Sequence, residues 1–94
     1  SINHIYMNYK KVEKVIKGFS NHRRIQILHL LKEKPELSVA EISDYTKADY
    51  KAVSQHVLKM EVTGLVTKRH DINSIRHRLT NLGQSVLQFC RIVE

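Results

Sequence analysis

A chain of 94 residues, 41% of them apolar, holds enough material for one small domain with one core. A domain of this size buries roughly 60–65% of its unfolded surface, so a dimer is a natural source of further burial. Sixteen Lys and Arg against nine Asp and Glu leave a net charge of +7, which points to a polyanionic partner. The single cysteine, Cys90, excludes an internal disulfide framework and a multi-cysteine zinc cluster. No apolar run approaches the roughly 20 residues of a membrane span. The polar opening Ser1-Ile2-Asn3-His4 has no signal-peptide core, so a soluble, cytoplasmic protein without a membrane partner is expected.

In chain order, Ile2, Ile5, Tyr9, Val12, Ile16 and Phe19 recur in steps of three and four and predict a helix over about 2–19. Ser20 or Asn21 can cap a second helix carrying Ile25, Leu28 and Leu31, which Pro35 stops. Ser38-Val39-Ala40-Glu41 fits a capping box opening a short third helix with Ile42 and Tyr45 directed inward. Asp49 can cap a fourth helix over about 50–63, with Val53, Val57 and Met60 on its inner face and Gly64 as terminator.

After Gly64 the period changes to two. Residues 65–70 and 75–79 lean toward strand around the turn Asp71-Ile72-Asn73-Ser74, with Ile75, His77 and Leu79 sharing a face. Thr80 can cap a last helix, about 81–94, striped by Leu82, Val86, Phe89 and Val93. The fold expected is therefore mainly α with a small β-hairpin, in the order α-α-α-α-β-β-α, within one domain spanning 1–94. A short capped helix, a tight turn, a longer capped helix and a hairpin describe a winged helix-turn-helix. Net charge is +3 over 1–46, +4 over 47–78 and 0 over 79–94, so its density peaks on the fourth helix and hairpin.

Three segments resemble the arsenic-repressor-type (ArsR-like) winged-helix transcription regulators. Asn21-His22-Arg23-Arg24-Ile25-Gln26-Ile27-Leu28 is similar to that family's D-P-T-R-L-R-I-L opening. Val53-Ser54-Gln55-His56-Val57-Leu58-Lys59-Met60 is similar to its V-S-x-H-L-x-x-L recognition helix, and Gly64-Leu65-Val66 with Leu79-Thr80-Asn81-Leu82-Gly83 to G-L-V…L-T-x-x-G. The resemblance implies a homodimeric regulator of transcription whose first and last helices form the interface. That interface would use Ile5, Tyr9, Val12, Ile16, Val86, Phe89 and Val93. Many members sense metals through a cysteine pair before the turn, where this chain has Ser38-Val39-Ala40-Glu41. Others use Asp, His and Glu pairs on the last helix, where this chain offers Gln84, Gln88, Cys90, Arg91 and Glu94. No metal site and no cofactor are expected, and the residues specify no effector.

The first turns of a recognition helix face the major groove, about 12 Å wide. Tyr50, Lys51, Ser54 and Gln55 are the candidate base readers: Gln55 can pair with an adenine edge, and Lys51 can take guanine or a phosphate. Candidate backbone contacts are Arg23, Arg24, Lys47 and His56, with Lys68, Arg69, Asn73 and Arg76 on the hairpin, a wing over about 65–79 that would lie on the DNA backbone or in the minor groove. Arg23 and Arg24 occupy a first helical turn, which disfavours cations, so each needs a phosphate or an internal carboxylate. His56 can bond a phosphate or pack against the hairpin. His70 and His77 can face each other across the hairpin, although a pair without a third ligand is weak. No catalytic signature appears, and no enzyme is expected. The partner expected is double-stranded DNA bound sequence-specifically by a homodimer. The alternatives are a protein- or RNA-interaction module and a non-specific architectural DNA binder.

Overall fold

The computed structural model describes residues 6–94, and within them the order is the expected one. Helix α1 is Tyr9–Phe19, α2 His22–Glu33, α3 Val39–Thr46 and α4 Tyr50–Val62; strands β1 (Val66–His70) and β2 (Ile75–Leu79) precede α5, Asn81–Val93. The sequence expectation started α1 near Ile2. The helix begins at Tyr9 because the Asn8 side chain accepts from the Lys11 amide at 3.1 Å and closes the first turn. Ile2 and Ile5 lie outside the described residues.

Each later helix starts on a side-chain oxygen that satisfies an otherwise unpaired amide. Asn21 accepts from Arg23 and Arg24 at 2.9 and 3.2 Å, Asp49 from Ala52 at 3.0 Å, and Thr80 from Gly83 at 3.0 Å. At α3 the capping box is complete: Ser38 accepts from the Glu41 amide, and Glu41 accepts from the Ser38 amide. Gly64 ends the α4 turn at φ +80, a conformation that favours glycine.

The core forms where the inner faces meet. Ile27, Leu28 and Leu31 of α2 pack with Ile42, with Val53, Val57 and Met60 of α4, and with Leu37, Leu65, Val66, Val86 and Leu87. Tyr45 does not join them: it is 53% exposed, and Lys34 sits over its ring at 5.1 Å. Thr46 is buried instead, four residues after Ile42 and on the same helical face, its hydroxyl donating to the Ile42 carbonyl at 2.8 Å. None of the helices among the described residues is long and apolar enough to cross a membrane.

The hairpin is antiparallel, with Val66 opposite Leu79, Lys68 opposite His77, and His70 opposite Ile75. His70 and His77 are therefore not cross-strand neighbours. His77 is buried, and its Nδ1 lies 3.0 Å from the Leu37 carbonyl, which only accepts, so Nδ1 carries the proton. Leu37 and His77 also exchange backbone hydrogen bonds of 3.1 and 2.7 Å. The loop leaving α2 thus adds a one-residue rung to β2. Sequence alternation gives no sign of it.

Candidate nucleic-acid interface

A three-residue turn, Lys47-Ala48-Asp49, joins α3 to α4. Lys47 occupies the left-handed region at φ 55, and the Ser43 hydroxyl donates to the Ala48 carbonyl at 2.5 Å, which fixes the turn. At 3.6 residues per turn, burying Val53, Val57 and Met60 aims Lys51 and Gln55 directly away from the core, with Tyr50 and Ser54 at the flanks. All four are exposed. Leu58 and Val62 continue the same outward face as exposed apolar side chains. The sequence reading did not single them out, although their spacing from Lys51 and Gln55 carries the signal. A groove of about 520 Å³ runs beside this face and is lined by Tyr50, Ser54 and Leu58 of α4, Ala40 of α3, and Asn73 and Ser74 of the hairpin turn.

Around the start of α4 the positive charge is uncompensated. Arg23 donates to the Gln26 side chain at 2.6 Å and to the Thr46 carbonyl at 3.2 Å, tying α2 to the end of α3. Arg24 meets Nδ1 of His56 at 3.1 Å and the Lys17 carbonyl at 3.2 Å, tying α2 to α4 and α1. Neither arginine has a carboxylate partner among the described residues, so no acidic side chain pairs with either beside α4. Burial first, and then the charges of Arg24, Arg23 and His22, hold the His56 pKa below its ordinary value.

The hairpin is arranged differently. Arg69 forms a two-pronged pair with Glu36, at 2.6 Å to Oε1. Arg76 lies 3.2 Å from Glu41 and 3.5 Å from Asp71, and Lys68 lies 3.6 Å from Glu61. Hydrogen bonding from Arg69 lowers the Glu36 pKa, while the Ser38 amide and hydroxyl, ahead of Arg76, lower that of Glu41. Most of the charge that sequence counting assigns to the wing is thus balanced inside the domain. Arg78 has no carboxylate partner among the described residues.

On the opposite side, Val12, Ile16, Leu82 and Phe89 line an apolar groove of about 560 Å³ between α1 and α5. Phe19 and Phe89 meet edge to face, with centroids 6.5 Å apart. Tyr9 is 75% and Val93 67% exposed, whereas Val86 is buried in the chain's own core.

The model of the bacterial regulatory proteins of the arsR family matches residues 21–68. The transcriptional activator HlyU of Vibrio cholerae is 33% identical over 82 residues, covering 80% of this chain and 75% of the relative. The solved structure of HlyU from Vibrio cholerae covers 92% of this chain and 94% of that one, at a TM-score of 0.79 and 29% identity. A homodimeric winged helix-turn-helix DNA-binding domain, Mb0332 from Mycobacterium bovis, is described as a possible ArsR-family regulator. It covers 90% of this chain and 79% of that one, at a TM-score of 0.81 and 26% identity. The family model spans the helices and turn that carry the exposed face of α4. The chain therefore belongs to the arsR family of bacterial regulatory proteins, which are transcriptional regulators with a winged-helix DNA-binding domain and not enzymes.

Proposed function

We propose that the protein is a homodimer that regulates transcription by occupying a specific, pseudo-palindromic duplex DNA site. The observation that carries this reading is the outward face of α4. There Tyr50, Lys51, Ser54 and Gln55 stand exposed on a helix fixed from behind by Val53, Val57 and Met60. Two such helices, about 34 Å apart in a dimer, reach successive major grooves. Gln55 has the donor and acceptor that an adenine edge requires, and Lys51 suits a guanine edge or a phosphate.

Backbone affinity falls to Lys47, Arg23, Arg24 and His56, whose charges or donors no carboxylate of the described residues holds. In this reading Lys68, Arg69 and Arg76 serve first to set the shape of the wing, and Asn73 contacts the DNA from its turn. Dimerisation uses Tyr9, Val12, Ile16, Phe89 and Val93, with Val86 supporting them from the core and Ile5 preceding the described residues. The apolar groove between α1 and α5 supports that assignment, as does the homodimeric state of the Mycobacterium bovis domain. A regulator that reads the chromosome of a bacterium works in the cytoplasm.

Selection from a random duplex pool at physiological salt tests the reading. It should enrich a two-fold symmetric site. Tight binding without enrichment would indicate a non-specific architectural binder, and no binding to DNA would favour a protein- or RNA-interaction module.

A further inference from the structure

The tip of the wing carries an apolar side chain on an ordered turn. Ile72 is 93% exposed, more than any other large apolar residue among those described. Its position is fixed. The Asp71 amide donates to the Ser74 carbonyl at 2.8 Å, and the Ile72 amide donates to the Asp71 carboxylate at 2.8 Å. Asp71 is held in turn by Arg76 at 3.5 Å. A β-branched residue is poorly suited to an exposed turn, where Gly, Asn, Asp and Ser are the usual occupants. Here it stands between Asp71 and Asn73 with its apolar surface in water.

The two residues that follow it, Asn73 and Ser74, line the same groove as Tyr50 and Ser54 of α4. The tip is thus continuous with the face proposed to read DNA. Of the wing cations behind it, Lys68, Arg69 and Arg76 are held by Glu61, Glu36, Glu41 and Asp71, which leaves Arg78, close to the root of the hairpin, as the one without a carboxylate partner among the described residues. Minor-groove proteins commonly place Ile, Leu, Phe or Met against or between base steps, exchanging unstacking for apolar contact.

We infer that Ile72 is a specificity-determining residue that enters the minor groove beside each recognition helix and reads its width and deformability through apolar contact. This rests on the DNA-binding reading above and adds to it a residue that acts by shape. Easily unstacked pyrimidine–purine steps, or narrow A·T tracts, would be favoured at the position it touches.

The test measures binding to a duplex recovered from the random pool, at several salt concentrations, for wild type, Gln55→Ala, Ile72→Ser and Ile72→Met. Ile72→Ser should weaken binding about tenfold, the loss expected for partial burial of one isoleucine. Its salt slope should equal that of wild type, because the substitution leaves every charge in place. Ile72→Met should keep most of the affinity. Base substitutions flanking the α4 contacts should matter less to Ile72→Ser than to wild type. Unchanged affinity for Ile72→Ser overturns the inference while leaving the DNA-binding reading intact. A weakening accompanied by a flattened salt slope also overturns it, since the tip would then act by arranging cations. If wild type recovers no duplex at all, the inference and the reading it rests on fall together.

Discussion

Nη1 of Arg24 lies 3.1 Å from Nδ1 of His56, and a guanidinium can only donate, so this hydrogen bond requires the neutral imidazole with Nδ1 accepting. Its remaining proton is on Nε2. The same contact joins the start of α2 to the middle of α4.

Acid should break this contact. The folded pKa of His56 is below the ordinary 6.5, so the unfolded chain binds the proton more readily. The stability this histidine contributes is complete above about pH 6.5 and is lost as pH falls toward and through the lowered folded value. The lowered values of Glu36, Glu41 and Asp71 act in a window further down, below about 4.5. Thermal melts between pH 7 and pH 5 should therefore slope more steeply for wild type than for His56→Gln, which keeps an acceptor but does not titrate. Parallel curves would remove the role given to His56.

In the proposed DNA complex, Gln55 is the base reader whose removal is easiest to interpret. Gln55→Ala should cost ~1–3 kcal/mol on the preferred site and relax the preference at one base pair per half-site. The melting temperature should hardly move, because Gln55 is exposed on the face of α4 opposite its core contacts. Binding to every single-base substitution of the site, compared between variant and wild type, decides the matter. A full, unaltered preference would make Gln55 a solvated helix residue.

Salt dependence separates the two kinds of cation. Lys47→Ala should flatten the slope of log K against log salt by about 0.9 for each phosphate that the lysine neutralises. Lys68→Ala and Arg76→Ala should flatten it much less, because Glu61, Glu41 and Asp71 already hold those side chains. Equal flattening in all three would mean that the wing cations exchange their carboxylates for phosphates on binding.

Association should depend on the α1–α5 groove. Val12→Asp with Ile16→Asp places two carboxylates on an exposed apolar face without entering the core. Light scattering should give a monomer, and circular dichroism should show the helices retained. A dimer that survives both changes uses another surface.

Gly83 is the position where a single methyl should matter most. A Cβ there would run into the Leu65 carbonyl oxygen, part of the rigid link between α4 and β1. Gly83→Ala, which would gain up to ~1 kcal/mol in an open helix, should instead lose ~1–3 kcal/mol by overpacking. Denaturant unfolding measures it directly.

The helices were legible from sequence because a helix start is a local device: Ser38 and Glu41, or Asp49 and the Ala52 amide, lie within one turn. The outward face of α4 was legible for the same reason, since Val53 and Val57 define it by period alone. Local propensity makes Gly83 no more than a small cost in a helix, because the carbonyl that excludes a side chain comes from Leu65, in the link between α4 and β1. The neutralisation of the wing was hidden likewise: Arg69 finds Glu36 across 33 positions, and Arg76 finds Glu41 across 35. Tyr45 lies within the helical period but on the flank of α3, about 100° around the helix from buried Thr46, while Ile42 and Thr46, four residues apart, share the buried face.

The rung between Leu37 and His77 turns the wing into a lever with a clamped root. Beyond it the hairpin projects only a few residues, at about 3.3 Å each, to the turn at Asp71–Ser74. Its root is anchored to the segment that leaves α2, and α2 packs on α5. A small tilt of α2 relative to the rest of the domain would therefore swing the tip sideways, with no change in the hairpin's own pairing. A shift of α5 would then have a mechanical route to the tip of the hairpin, through α2 and the segment that leaves it.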